Sequence, residues 1–215
     1  MSDRVIRSGN DAGNANIGSA NCAYCSVGGL VGRSATEIML DVYSVSGELK
    51  PSGSANDGSL GFAKLYAKLF NKAWDDTKTL EFQVEGIVAY LNRKGCTVKR
   101  IGGPKPSELL RKPVLAKAAN DLDEGALFLV LTGDEDVDGW GITTLAHWTI
   151  GQKQNGKAVF YDYQLKISDD SVRKYITGRC GKTFTETGMT DYPVIAWGKE
   201  LDDDDGRGML LVVSK

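Results

Sequence analysis

The sequence predicts an α+β fold in which a helical N-terminal half packs on an antiparallel β-sheet supplied by the C-terminal half. Three observations lead there. Between Phe62 and Ala119, apolar residues recur mostly at three- and four-residue intervals, the spacing of amphipathic helices. From Ala126 onward they gather in short runs, as buried strands do. Asn155-Gly156 then separates two of those runs, the two-residue signature of a hairpin. Helices first and antiparallel strands after is the α+β order, not the alternation of a parallel sheet. The 215 residues contain no internal repeat, low-complexity tract or evident linker. One domain over 1–215 is therefore expected, with residues 1–20 as an N-terminal arm.

Residues 1–20 are rich in Gly, Asn and Ser and read as that arm. Polar, cap-capable residues then run into Asn21-Cys22-Ala23-Tyr24-Cys25-Ser26-Val27-Gly28, with Leu30 and Val31 at helical spacing. This predicts a first helix from Cys22 to Val31, ending near Gly32. Ile38, Leu40, Val42 and Val45 predict a short strand over 35–44. Residues 50–59, with Pro51 and several Ser and Gly, form a loop. Phe62, Leu65, Tyr66, Leu69, Phe70 and Trp74 make one helical stripe over 62–74. Leu80, Val84, Ile87, Val88 and Leu91 make another over 79–93, stopped at Gly95. A strand follows over 96–101 and is broken by Gly102-Gly103-Pro104. A helix over 107–119 would carry a break or kink at Pro113.

Residues 126–131 are a continuous apolar run, a central strand. An acidic loop over 132–141 leads to a strand over 142–150, a turn at Asn155-Gly156 and a returning strand over 158–163. Beyond lie a helix over 168–176 and strands over 193–198 and 209–213. These strands flank Asp202 to Asp205, a charge run read as a solvated hairpin tip.

A formal net charge of -2 argues against nucleic acid, or an anionic membrane surface, held by bulk electrostatics. No apolar run reaches membrane-spanning length. The first residues lead into no apolar signal-peptide core, so synthesis in the cytosol is expected, with any export by another route. Four cysteines are too few for a disulfide scaffold. Cys22 and Cys25 form a C-x-x-C without the second pair a zinc site needs, and no metal or cofactor is expected. A redox dithiol would follow a buried strand, and here Gly, Asn, Ala and Ser precede it.

Cys22 on a helix N-terminus would have its thiolate stabilised by the helix dipole. The opposing reading makes Cys22 and Cys25 small core residues. The chain's single histidine, His147, lies on a predicted strand, and the Asn155-Gly156 turn makes Asp162 its neighbour across the hairpin within a residue or two. A carboxylate there would hold the imidazole tautomer. Cysteine, histidine and aspartate in that arrangement are the parts of a thiol hydrolase.

Asn21-Cys22-x-x-Cys25 opening a helix, followed by Ala146-His147-Trp148 and a short hairpin to Phe160-x-Asp162-x-Gln164, resembles the papain-like effector and toxin domains of bacteria. The likeness is to secreted glutamine deamidases and to C-terminal domains of polymorphic toxins. It covers the first-helix motif, the His/Asp hairpin and, in outline, the helix-then-sheet order, but not the intervening helices or the end of the chain. The resemblance implies a papain-like fold with Cys22 as nucleophile, His147 as base and Asp162 as its orienter. Cys25 is the alternative nucleophile, because papain uses the later cysteine of such a pair. Papain's upstream oxyanion glutamine has no counterpart, since the first glutamine is Gln83; Asn14, Asn16 or Asn21 would donate instead, with the Cys22 backbone N–H. Gln164 would orient the site or bind substrate. Trp148 is weighed as a substrate-lining residue against core packing, and core packing is preferred.

The resemblance further implies a bacterial effector or toxin delivered by specialised secretion. It would act in the target-cell cytoplasm on a protein substrate, with a cognate immunity or inhibitor protein as a further partner. Attack of the thiolate on a carboxamide gives deamidation, on a peptide bond proteolysis, and with an external amine transglutamination. Deamidation is preferred through the resemblance alone. The reading from a different class is a non-catalytic protein-interaction module with structural cysteines.

Overall fold

Helix α1 begins at Cys22 and ends at Val31. Gly32 follows at φ +75, a left-handed conformation that glycine adopts freely and that closes the helix. A computed structural model of the chain describes residues 22–33, 35–46, 60–133, 147–161, 189–190 and 207–215. The remaining helices are α2 (Ala35–Ser46), α3 (Leu60–Leu69), α4 (Thr79–Arg93) and α5 (Lys112–Asn120). The strands are β1 (Thr97–Ile101), β2 (Leu110–Arg111), β3 (Leu127–Gly133), β4 (His147–Gln154), β5 (Lys157–Tyr161), β6 (Met189–Thr190) and β7 (Arg207–Ser214). Helix and antiparallel sheet together make the α+β class that the sequence predicts.

The sheet runs in the order β1-β7-β3-β4-β5-β6, with β2 beside β1 on the same flank of β7. Every pairing described is antiparallel. Side-chain alternation divides the sheet into two faces. Leu129, Leu131, Trp148, Ile150, Met209, Leu211 and Val213 join a core with α1 to α4. Phe128, Val130, Ala158 and Leu210 join a second core under α5. The continuous apolar runs of β3 and β7 follow from this, since both strands are covered on both sides.

The hairpin at Asn155-Gly156 forms as predicted. Both residues take positive φ, 51 and 76, as a type I′ turn requires. Glu124 caps the turn by accepting from the backbone N–H groups of Asn155 and Gly156. Lys153 Nζ, on the buried side of the strand, donates to the carbonyls of Asn120 and Gly156 and so ties the end of α5 to the hairpin.

Several expectations are corrected. Residues 35–44 are helix, not strand. Ile38, Val42, Met39 and Tyr43 are buried at four-residue spacing while Leu40 is 54 % exposed, so the apparent two-residue alternation belongs to a helical face. The helix expected over 62–74 ends at Leu69, and Asn71 at φ 49 turns the chain out of it. Trp74 comes back edge-on to Phe82, ring centroids 6.0 Å apart. Over 107–119, a single 3-10 turn and β2 precede a helix that starts only at Lys112. Pro113 then falls in the first turn, where its missing N–H costs nothing, so it starts the helix and does not kink it. Strand β7 has β1 and β2 on one side and β3 on the other. It is a central strand of the sheet. Residues 168–176, 193–198 and 202–205, and most of the loops expected at 50–59 and 132–141, lie outside the described residues.

Candidate functional site

The direction of α1 decides where Cys22 falls. Ser26, 1 % exposed, donates from its hydroxyl to the Trp148 carbonyl at 2.9 Å. Gln83 of α4 accepts from the indole Nε1 of the same tryptophan at 3.1 Å. At the other end of these helices, Arg33, just past α1, reaches the Tyr90 hydroxyl at 3.4 Å. Helices α1 and α4 therefore run in the same sense over one face of the sheet. Helix α4 feeds β1, whose Thr97 lies opposite Ser214. The C-terminal end of α1 thus belongs to that end of the sheet. Its N-terminus belongs to the opposite end, where β3 finishes at Gly133, β7 starts at Arg207 and β4 starts at His147.

Cys22 precedes Ser26 by four residues, one helical turn or about 6 Å along the axis, on the same face. Ser26 binds the strand one residue past His147. The helix N-terminus carrying Cys22 and the strand end carrying His147 are thus brought to one end of the molecule. The His147 backbone lies opposite Thr132 of β3. Along β4, Trp148 and Ile150 belong to the core shared with α1. Lys153 reaches α5, and a Cβ at Gly151 would strike the Phe128 ring of the α5 core. Residue 147 shares the odd numbering of this second set, and it is the first residue of the strand.

Of the two cysteines in the motif, Cys22 is half-buried, and Cys25 is 2 % exposed within the core. Access for a substrate therefore favours Cys22. Cys96 is also buried in the core. Trp148, weighed as a substrate-lining residue, is a core residue: it is 2 % exposed, with its indole N–H turned to Gln83. The β4–β5 register reaches Ile150 opposite Tyr161, one residue short of Asp162. Asn14, Asn16, Asn21, Asp162 and Gln164 lie outside the described residues.

Two residues of this region escaped the sequence reading. Ser26 sits inside an apolar helical run, and Gln83 sits between the buried Phe82 and Val84. A polar residue within an apolar stretch was the available signal, because burial of such a group requires a hydrogen-bond partner.

Behind the site, Asp41 of α2 gathers α1, α2 and α4. Its carboxylate accepts from Arg33, from Lys94 at 2.8 Å and from the Tyr90 hydroxyl at 3.0 Å. Burial opposes ionisation of Asp41, but hydrogen bonds from Arg33, Lys94 and Tyr90 outweigh it and bring the carboxyl down to about 2. Burial, and then the Asp41 charge, push the Tyr90 hydroxyl up.

Among the described residues, no group of three or more His, Cys, Asp or Glu side chains gathers to hold a metal ion. No helix there is long and apolar enough to cross a membrane. Compared with protein-family models and with curated proteins, the chain matches none of them.

Proposed function

We propose that the chain is a cysteine hydrolase of papain-like type, with Cys22 as nucleophile and His147 as general base, acting on a protein substrate. One observation carries this reading. Helix α1 opens at Cys22 and, one turn later, is hydrogen-bonded to β4 beside the chain's only histidine. A thiol at a helix N-terminus becomes an activated nucleophile when an imidazole comes within its reach. The reading requires the base to serve Cys22 past the start of β4, not across the face that holds Trp148.

The thiolate attacks the carbonyl carbon of a carboxamide or peptide bond. His147 gives its proton to the departing amine and leaves a thioester on Cys22. It then takes a proton from water, which attacks the thioester and releases the acid and the thiolate. Asp162 would hold the imidazole tautomer. Departure of ammonia makes the reaction a glutamine deamidation, which the resemblance to deamidase effectors favours; departure of a peptide amine makes it proteolysis. The same resemblance supports a bacterial effector delivered to another cell, with an immunity or inhibitor protein as its natural antagonist.

The test is mass spectrometry of a recipient-cell lysate treated with native protein or with Cys22→Ala. A target peptide that gains the mass of amide-to-acid conversion only with native protein establishes the deamidase. New peptide termini establish a protease. Identical lysates, with the native thiol shown to be reduced, overturn the proposal. The other reading, a protein-interaction module with structural cysteines, draws on the odd numbering of position 147. It predicts a Cys22 thiol whose reactivity does not depend on His147.

A further inference from the structure

We propose that Ser26 and Gln83 are positioning residues for the Cys22–His147 pair, acting through Trp148. This rests on the hydrolase reading above. Two buried or half-buried polar side chains from two helices converge on a single tryptophan. Ser26 holds its backbone carbonyl and Gln83 its indole N–H. Packing alone does not call for this. An alanine would suit the space at Ser26, which is 1 % exposed, and a buried hydroxyl costs free energy unless it is bonded.

The placement is also selective. On the β5 side, the described ladder of β4 stops at Ile150 opposite Tyr161. The first residues of β4, His147 and Trp148, are paired with Thr132 and Leu131 of β3. From the helix side of the sheet, α1 and α4 each supply one hydrogen bond to Trp148, the residue after His147. They fix the Trp148–Thr149 peptide, one residue past His147, in rotation through the carbonyl, and Trp148 in depth through the ring. Ser26 lies on the helix that carries Cys22, so one bond sets the distance between nucleophile helix and base strand. A misplacement of about 1 Å in such a pair costs on the order of a hundredfold in rate.

The experiment measures alkylation of Cys22 by iodoacetamide from about pH 5 to 9, read by peptide mass spectrometry on the full chain, beside thermal unfolding. The variants are Ser26→Ala, Gln83→Leu, His147→Ala and each of the first two combined with His147→Ala. With the positioning role, Ser26→Ala and Gln83→Leu each slow alkylation at pH 7 by about three- to tenfold and move the pH profile toward that of His147→Ala. Neither adds anything further in the double variants, because both act through the base. A lowered melting temperature with an unmoved profile in both single variants means a structural role only and overturns the inference while leaving the hydrolase standing. An unmoved profile in His147→Ala itself overturns the hydrolase and the inference with it. Should Ser26→Ala fail to fold, Gln83→Leu carries the same test, since Gln83 is only partly buried.

Discussion

Asp41 shows how one carboxylate can join three helices. It accepts from Arg33, Lys94 and Tyr90 and is 32 % exposed, so part of its electrostatic gain is screened by water. Its folded-state value of about 2 lies below the ordinary carboxylate value. The stability it contributes is therefore fully present above about pH 4 and fades as pH falls toward about 2. Asp41→Asn is expected to lower stability by about 1 kcal/mol at neutral pH. The gap between variant and native protein should narrow on acidification over that window in urea titrations. At Gly86 the limit is steric. A Cβ there would come within 1.8 Å of the Phe62 carbonyl oxygen, backbone against backbone, where α3 crosses α4. Alanine gains about 1 kcal/mol of helix propensity over glycine. The clash outweighs it, and Gly86→Ala is expected to cost about 3 kcal/mol, read from denaturant unfolding.

At the scale of elements, α2 separates what periodicity can and cannot tell. Ile38, Leu40 and Val42 alternate as a strand would, yet Ile38/Val42 and Met39/Tyr43 also satisfy helical spacing, and the structure follows the helix. In a strand, positions 38, 40 and 42 would share a face. In the helix, Ile38→Ala is expected to cost about 3 kcal/mol, and Leu40→Ala less than about 0.5 kcal/mol. Equal costs would contradict the helix. Helix α4, strand β3 and the hairpin were legible because a long stripe, an unbroken apolar run and Asn155-Gly156 each admit one reading. The helix over 107–119 was not, because Pro113 is as compatible with a first turn as with a kink, and only the pairing of β2 with β7 decides between them. The hydrogen bonds of Trp148 to Ser26 and Gln83 were not legible either. They join residues far apart in the chain, and local spacing carries no information about such contacts.

At the scale of the whole molecule, among the described residues, four helices share a core with one face of the sheet and α5 packs on the other. The sequence reading foresaw the helix-then-sheet order but not this division, which depends on which face of β3 and β7 each helix meets. The arrangement leaves the N-termini of α1 and α4 beside the start of β4. Catalysis by the proposed pair requires Cys22 and His147 to meet there. The most direct measurement replaces His147 with cysteine and treats the folded protein with dibromobimane, which fluoresces on bridging two nearby thiols. Peptide mapping then identifies the bridged pair. A bridge between Cys22 and residue 147 is expected, formed in the native protein and lost on unfolding in urea. Singly labelled Cys22 with no bridge to residue 147, in a protein shown to be folded, would contradict it.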